Sequence, residues 1–106
     1  MISIGSFQAG IDLPFFLMAG PCVVESEDLV METAATLKEM TQARQLPFVF
    51  KASFDKANRS SLTSFRGLGI EKSLAILEKV KKTLGVMLVT DVHEDSPIEE
   101  VASVVD

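Results

Sequence analysis

The chain has 106 residues, of which 47% are hydrophobic and 24% are charged, a composition typical of one folded domain and not of a disordered segment. The net charge of -5 disfavours nonspecific nucleic-acid binding, and no apolar run approaches the roughly 20 residues of a membrane span. The single cysteine, Cys22, excludes an intramolecular disulfide and a four-cysteine zinc site. No signal peptide is visible, so we expect a cytoplasmic protein without membrane partners.

Residues 1–13 are predicted to form a small β-hairpin. Ile2 and Ile4 alternate with polar residues, and Gly5-Ser6 suits a turn after which Phe7 to Ile11 would return. The alternative is a frayed terminal segment.

A first strand–helix unit follows the hairpin. Residues 15–19 are a continuous apolar run, as in a strand of a parallel sheet that is buried on both faces, and Gly20-Pro21 ends it. Ser26 is the predicted N-cap of a helix, which Pro47 prevents from continuing. The apolar stripe of that helix consists of Val30, Ala34, Leu37 and Thr41.

Two further units repeat this rhythm. Residues 48–52 and 86–90 are the next predicted strands, and Gly85 is the expected left-handed residue after the helix between them. Ser96-Pro97-Ile98-Glu99 predicts a third helix, with Ser96 as its cap, Pro97 in the first helical position and Glu99 completing a capping box. Residues 104–106 resemble the entry to a fourth strand.

This alternation of strands and helices indicates an α/β fold with right-handed βαβ units. A doubly wound sheet and a closed (β/α)8 barrel both satisfy the pattern. About three units cannot close a barrel, which takes about 250 residues. We therefore expect residues 1–106 to form a single incomplete domain.

Reactive residue types follow all three predicted strands, at the edge where ligands bind in both parallel architectures. Between Lys51 and Arg66 there are four cations and one anion, a local charge of +3 that leaves -8 for the rest of the chain. A cationic segment in an acidic chain indicates an anionic ligand, and Asn58-Arg59-Ser60-Ser61 suits a phosphate group. The alternative is a solvated loop with scattered charges.

Three other residues at this edge have open roles. Cys22 is either a buried structural cysteine, a metal ligand or a nucleophile. His93, the only histidine, is either a hydrogen-bonded structural residue or part of a site. Asp91 has the chemistry to bind sugar hydroxyls, accept a proton or assist a metal.

The run from Lys51 to Ser61, KASFDKANRSS, resembles the characteristic motif of the 3-deoxy-D-manno-octulosonate 8-phosphate synthase family. AGPCVVES at residues 19–26 and TDVHE at residues 90–94 are similar to the same family. Thr63 and Leu68 depart from its common histidine and proline. The resemblance covers essentially the whole chain. It implies a partial (β/α)8 TIM barrel, about the first three β/α units, preceded by a short N-terminal β-hairpin.

By this resemblance, the intact protein is a transferase that condenses phosphoenolpyruvate with D-arabinose 5-phosphate and water and releases phosphate, in lipopolysaccharide biosynthesis. The family is a cytoplasmic homotetramer, and we expect the present chain to be inactive by itself. The resemblance implies catalytic roles for Lys56 and Asp91. It implies substrate binding by Lys51, Ser53, Lys56, Asn58, Arg59, Ser60, Asp91 and His93.

Cys22 matches the ligand position of the metal-dependent branch of this family, where the metal-independent branch has asparagine. The implied cofactor is a divalent transition metal, Mn, Fe, Co or Zn, whose other ligands lie outside this chain. Two alternatives remain: a related synthase that uses erythrose 4-phosphate, and a noncatalytic partial barrel that binds phosphate ligands or associates with itself.

Overall fold

The structure is a computed structural model, and it describes residues 1–55 and 67–106. These residues form a two-stranded antiparallel sheet and a three-stranded parallel sheet, with three helices between and after the parallel strands. In chain order the elements are β1 (Ile2–Ile4), β2 (Phe7–Ala9), β3 (Leu17–Ala19), α1 (Glu27–Ala43), β4 (Phe48–Lys51), α2 (Ile70–Leu84), β5 (Met87–Val89) and α3 (Ile98–Ala102). The predicted α/β class is confirmed.

The predicted hairpin is confirmed. Ile4 pairs with Phe7, so Gly5 and Ser6 form the two-residue loop between β1 and β2. Gly5 has a φ of 54°, the positive value that the first position of a type II′ turn requires. A Cβ atom built on Gly5 would lie 2.5 Å from Sδ of Met87, which places the hairpin loop against β5.

The parallel sheet has the strand order β3-β4-β5, with β4 in the centre. In register, Leu17 pairs with Phe48, and Phe50 pairs with both Ala19 and Leu88. Each strand is shorter than its apolar run, by at most two residues at either end. Regular pairing begins and ends within those runs. The sheet therefore aligns the carboxyl ends of three successive strands.

Helices α1 and α2 contact each other and share one hydrophobic core with the sheet. Phe50 and Leu88 project from the sheet into this core and are almost fully buried. At about 25 cal/mol per Å2 of apolar area, burial of such side chains stabilises the fold by about 1.5–3 kcal/mol each. The core side chains of the two helices include Val30, Ala34, Leu74, Leu77 and Val80.

The predicted ends of α1 and α2 agree with the structure. Ser26 Oγ accepts a hydrogen bond from the Leu29 amide at 3.1 Å, so Ser26 is the N-cap of α1. Gly85 ends α2 with a φ of 66° and donates its amide to Lys81 O. Beyond α1, Gln45 takes a left-handed φ of 55°, a position that the sequence analysis did not predict.

The predicted capping of α3 is wrong. Pro97, with φ -78° and ψ 88°, is outside the helix and serves as its N-cap, and it has no side-chain cap hydrogen bond. Ser96 Oγ instead accepts a hydrogen bond from the His93 amide at 2.7 Å. The Ser96 hydroxyl thus stabilises the turn after β5, and α3 begins at Ile98.

Asp106 lies beside β5, where a fourth strand was expected to begin, although no strand is assigned there among the described residues. Its amide donates to Leu88 O at 3.1 Å, and its carboxylate accepts from the Leu88 amide at 3.0 Å and from Lys81 Nζ at 2.9 Å. Burial opposes ionisation of this carboxyl. The Leu88 hydrogen bond and the Lys81 ammonium outweigh that effect and lower the pKa of Asp106.

Gly20, which directly follows β3, lies close against the main chain at the end of β4. A Cβ atom at Gly20 would lie 1.7 Å from Lys51 O, a backbone atom that no rotamer change can move. We expect Gly20→Ala to separate the ends of these strands and to lower the free energy of unfolding by about 3 kcal/mol or more, measured by urea denaturation of the full-length protein.

Gly10→Ala is the matched control for this substitution. A Cβ atom at Gly10 would meet its nearest neighbours at 3.5–3.6 Å, an ordinary contact distance. Equal stabilities of the two variants would contradict a steric role for Gly20.

Candidate functional site

Pairing between the three chain segments continues beyond the ends of the parallel strands. Val23 forms a parallel bridge with Ser53, and the Val24 amide donates to Ser53 O at 2.9 Å. On the other side, the Ala52 amide donates to Val89 O at 3.3 Å, and Thr90 Oγ1 donates to Ala52 O at 2.8 Å. The residues that follow β3, β4 and β5 are therefore held side by side, as the sequence predicted for a parallel sheet.

Asp91 has a defined partner on each carboxylate oxygen. Ser53 Oγ donates a short hydrogen bond to Asp91 Oδ1. The other oxygen, Oδ2, lies 3.4 Å from His93 Nε2. Ser53 is fully buried, whereas the Asp91 side chain keeps 37% of its surface exposed. The carboxylate is thus anchored from the interior while part of it remains available to a ligand.

His93 connects the ends of β4 and β5. Its Nε2 atom lies 3.0 Å from Asp55 O as well as 3.4 Å from Asp91 Oδ2. Because a carbonyl and a carboxylate are both acceptors, Nε2 carries a hydrogen in this arrangement. The main chain of His93 is fixed by Ser96, whose hydroxyl accepts from the His93 amide and whose amide donates to His93 O at 3.1 Å.

Lys51 is the last residue of β4 and is half-buried. Along β4 the side chains of Phe48 and Phe50 face the helices, so by the alternation of a strand Lys51 lies on the opposite face with Val49. A cation at the carboxyl end of a parallel strand offers an anionic ligand a direct charge partner. The structure thus places Lys51 at the same sheet edge as Asp91.

Cys22 follows Gly20-Pro21 at the end of β3 and is exposed, so the alternative of a buried structural cysteine is wrong. Within residues 1–55 and 67–106, no group of three or more His, Cys, Asp and Glu side chains is arranged to hold a metal ion. The described residues therefore do not complete a metal site around Cys22.

Comparison with known proteins identifies the family. The sequence profile of the DAHP synthetase I family matches residues 1–106. The chain belongs to this family.

Curated relatives of this DAHP synthetase I chain carry the name 2-dehydro-3-deoxyphosphooctonate aldolase. The relative from Coxiella burnetii is 63% identical over 106 residues, which are 100% of this chain and 38% of that protein. The relative from Hydrogenovibrio crunogenus is 64% identical over 100 residues, or 94% of this chain and 36% of that protein. The relative from Legionella pneumophila strain Corby is 63% identical over 100 residues, again 94% of this chain and 36% of that protein. The chain thus spans little more than a third of the length of these relatives.

Four of the predicted site residues of this DAHP synthetase I chain, Lys56, Asn58, Arg59 and Ser60, lie outside the described residues. The structure brings the other predicted residues that follow β4 and β5 together: Ser53 donates a hydrogen bond to Asp91, and His93 Nε2 lies 3.4 Å from the same carboxylate. Thr90 and Ser96 support these residues through hydrogen bonds to Ala52 O and from the His93 amide, roles that were not predicted from the sequence. The signal for Ser96 was present in the sequence, but the adjacent Pro97 made a helix cap the simpler interpretation.

None of the helices within residues 1–55 and 67–106 combines the length and the apolarity needed to cross a membrane.

Proposed function

We propose that the intact protein condenses phosphoenolpyruvate with D-arabinose 5-phosphate and water, giving 3-deoxy-D-manno-octulosonate 8-phosphate and phosphate. The observation that carries this proposal is that the three motifs behind the family resemblance meet at one edge of the parallel sheet. Val23 bridges to Ser53, and Ser53 donates to Asp91, so each motif contacts the next. In parallel α/β folds this edge is where ligands bind.

The names of the relatives support the five-carbon acceptor. A phosphooctonate has eight carbon atoms in its chain. Phosphoenolpyruvate supplies three of them, so the acceptor aldehyde has five, as in arabinose 5-phosphate. Erythrose 4-phosphate would give a seven-carbon product, and the names therefore favour the pentose phosphate over the tetrose phosphate.

The proposed reaction brings two anions together at a cationic edge. Carbon 3 of phosphoenolpyruvate bonds to the aldehyde carbon, water adds to carbon 2, and the phosphate group leaves from carbon 2. Lys51 and Lys56 offset the charge of phosphoenolpyruvate, and Asp91 binds the sugar hydroxyls or accepts a proton. Asn58, Arg59 and Ser60 bind the phosphate of the sugar, because a guanidinium fork with amide and hydroxyl donors suits a phosphate. Ser53 and His93 complete the proposed substrate-binding set.

We propose that the domain is the first part of a (β/α)8 barrel, in a cytoplasmic homotetramer involved in lipopolysaccharide biosynthesis. The strand order β3-β4-β5 supports this proposal, because successive strands of such a barrel are neighbours. The two helices on one face of the sheet agree with the outer layer of a barrel.

Cys22 is proposed to supply one thiolate ligand to a divalent transition metal, with the remaining ligands outside this chain. Its exposure at the carboxyl end of β3 supports this role, since a bound metal must reach the sulfur. Such a metal supplies Lewis-acid polarisation of the aldehyde or activation of water. The described residues by themselves do not make up a complete set of ligands, and the roles given above for the lysines, Arg59 and Asp91 do not depend on the metal.

The substrate assignment is tested by comparing acceptors with the full-length protein. We expect phosphate release from phosphoenolpyruvate to depend on arabinose 5-phosphate, with kcat/KM at least about 100-fold higher than with erythrose 4-phosphate, because missing hydroxyl contacts leave polar groups of the site unpaired. A higher kcat/KM with erythrose 4-phosphate than with arabinose 5-phosphate would favour the related synthase. No release with either would favour a noncatalytic binding protein.

Arg59→Ala tests the proposed phosphate contact. Loss of a charge-assisted contact whose partner stays desolvated costs about 2–5 kcal/mol. We therefore expect KM for arabinose 5-phosphate to rise about 30-fold or more, with KM for phosphoenolpyruvate nearly unchanged.

Arg44→Ala is the matched control for Arg59. Among the contacts of the described residues, Arg44 Nη1 donates one hydrogen bond, to Met40 O near the end of α1. An equal rise of both Michaelis constants in Arg59→Ala would instead indicate a general electrostatic effect.

Cys22→Ser tests the metal ligand. Because a thiolate is a softer ligand than a hydroxyl, we expect the full-length variant to retain less than about a tenth of the transition metal that the unsubstituted protein holds, measured by mass spectrometry of the purified protein. Cys22→Asn is the informative companion, since asparagine occupies this position in the metal-independent branch, and some turnover without metal is expected. Full turnover of the unsubstituted enzyme after complete removal of metal would show that Cys22 is not a ligand of an essential metal.

A further inference from the structure

At the carboxyl edge of the sheet, His93 contacts both the segment after β4 and the segment after β5. Ligand binding alone does not account for this contact. His93 Nε2 is shared between Asp55 O at 3.0 Å and Asp91 Oδ2 at 3.4 Å. Asp55 follows β4 and Asp91 follows β5, and 38 positions of sequence separate Asp55 from His93. A single N–H group therefore joins two segments that are distant in the chain.

Contacts with Ser96 and partial burial restrain both the main chain and the ring of His93. Its main chain lies in the turn that Ser96 closes from both sides, with the 2.7 Å bond to the Ser96 hydroxyl and the 3.1 Å bond from the Ser96 amide. Three quarters of its side-chain surface is buried, since 25% is exposed. A ring held in this way has little rotational freedom to lose when it supports its partners.

The opposite side of the Asp91 carboxylate is fixed as well. Ser53 Oγ donates to Oδ1, and Ser53 is fully buried next to its bridge with Val23. With Ser53 at one oxygen and His93 at the other, the carboxylate has one favoured orientation.

We propose that His93 is a positioning residue. Its Nε2–H group donates to the Asp55 carbonyl while the ring lies beside the Asp91 carboxylate, and so fixes the end of the β4 segment relative to the end of β5. This inference rests on the proposed function for its effect on turnover, because Asp55 directly precedes Lys56 and the proposed phosphate-binding residues.

The first test is hydrogen exchange of the substrate-free, full-length protein, followed by NMR at the amides of Ser53, Phe54 and Asp55. In His93→Ala we expect these amides to exchange about tenfold faster. Loss of one hydrogen bond of average strength, about 1 kcal/mol, makes local opening easier by roughly that factor. In His93→Gln the side-chain amide nitrogen reaches the same distance as Nε2, so exchange should return close to that of the unsubstituted protein. In His93→Asn the nitrogen lies nearer the main chain, and exchange should stay fast.

Val92→Ala is the matched control, because Val92 precedes His93 in the same loop and its side chain is exposed. Its exchange rates at the three amides should equal those of the unsubstituted protein. Unchanged exchange in His93→Ala, or equal exchange in the Gln and Asn variants, would overturn the proposal. The Gln and Asn pair decides the question even if the alanine variant does not fold.

The second test is steady-state kinetics of the same variants. His93→Ala and His93→Asn should raise KM for arabinose 5-phosphate about tenfold, and His93→Gln should restore it to within about twofold, because the loss of one hydrogen bond corresponds to about a factor of ten. A change in kinetics without a change in substrate-free exchange would make His93 a direct substrate ligand and overturn the positioning role. If the unsubstituted protein does not condense the two substrates, the proposed function fails, and the exchange rates still decide whether His93 positions Asp55.

Discussion

The parallel pairing of β4 with both neighbours is the constraint on which the other features of this domain depend. β4 is the central strand, and its register with β3 and β5 places Phe50 between Ala19 and Leu88. Burial of Phe50 beneath the two long helices holds that register, because a shift by one residue would turn it to the other face. Gly20 permits the strands to approach closely at the end of β3.

The same register places the reactive side chains that follow the strands at one edge of the sheet. A strand that ends in Lys51 and continues into Ser53 carries a cation and a hydrogen-bond donor out of the apolar sheet. The neighbouring strand leads into Asp91, which takes the hydroxyl of Ser53 as a partner. A buried hydroxyl without a partner costs about 1–3 kcal/mol, so this pairing both stabilises the edge and orients the carboxylate.

The turn after β5 shows how a local motif is redirected by its surroundings. Ser96-Pro97-Ile98-Glu99 has the residues of a capping box, yet Ser96 pairs with His93 and Pro97 stays outside the helix. In either arrangement the Ser96 hydroxyl accepts a backbone N–H, a hydrogen bond worth about 1 kcal/mol. The contacts of His93 with Asp55 and Asp91 further stabilise the observed arrangement, in which Ser96 pairs with His93.

The sequence by itself determined the α/β class, the hairpin, the order of the elements and the caps at Ser26 and Gly85, because each depends on local spacing and on residues within one turn. It also predicted that the segments after the strands would share an edge, since parallel strands align their carboxyl ends. Only the tertiary structure decided the exposure of Cys22 and the contacts of His93 and Ser96. The contact of His93 with Asp55 joins segments 38 residues apart, a distance that packing of the sheet sets and that no local pattern records.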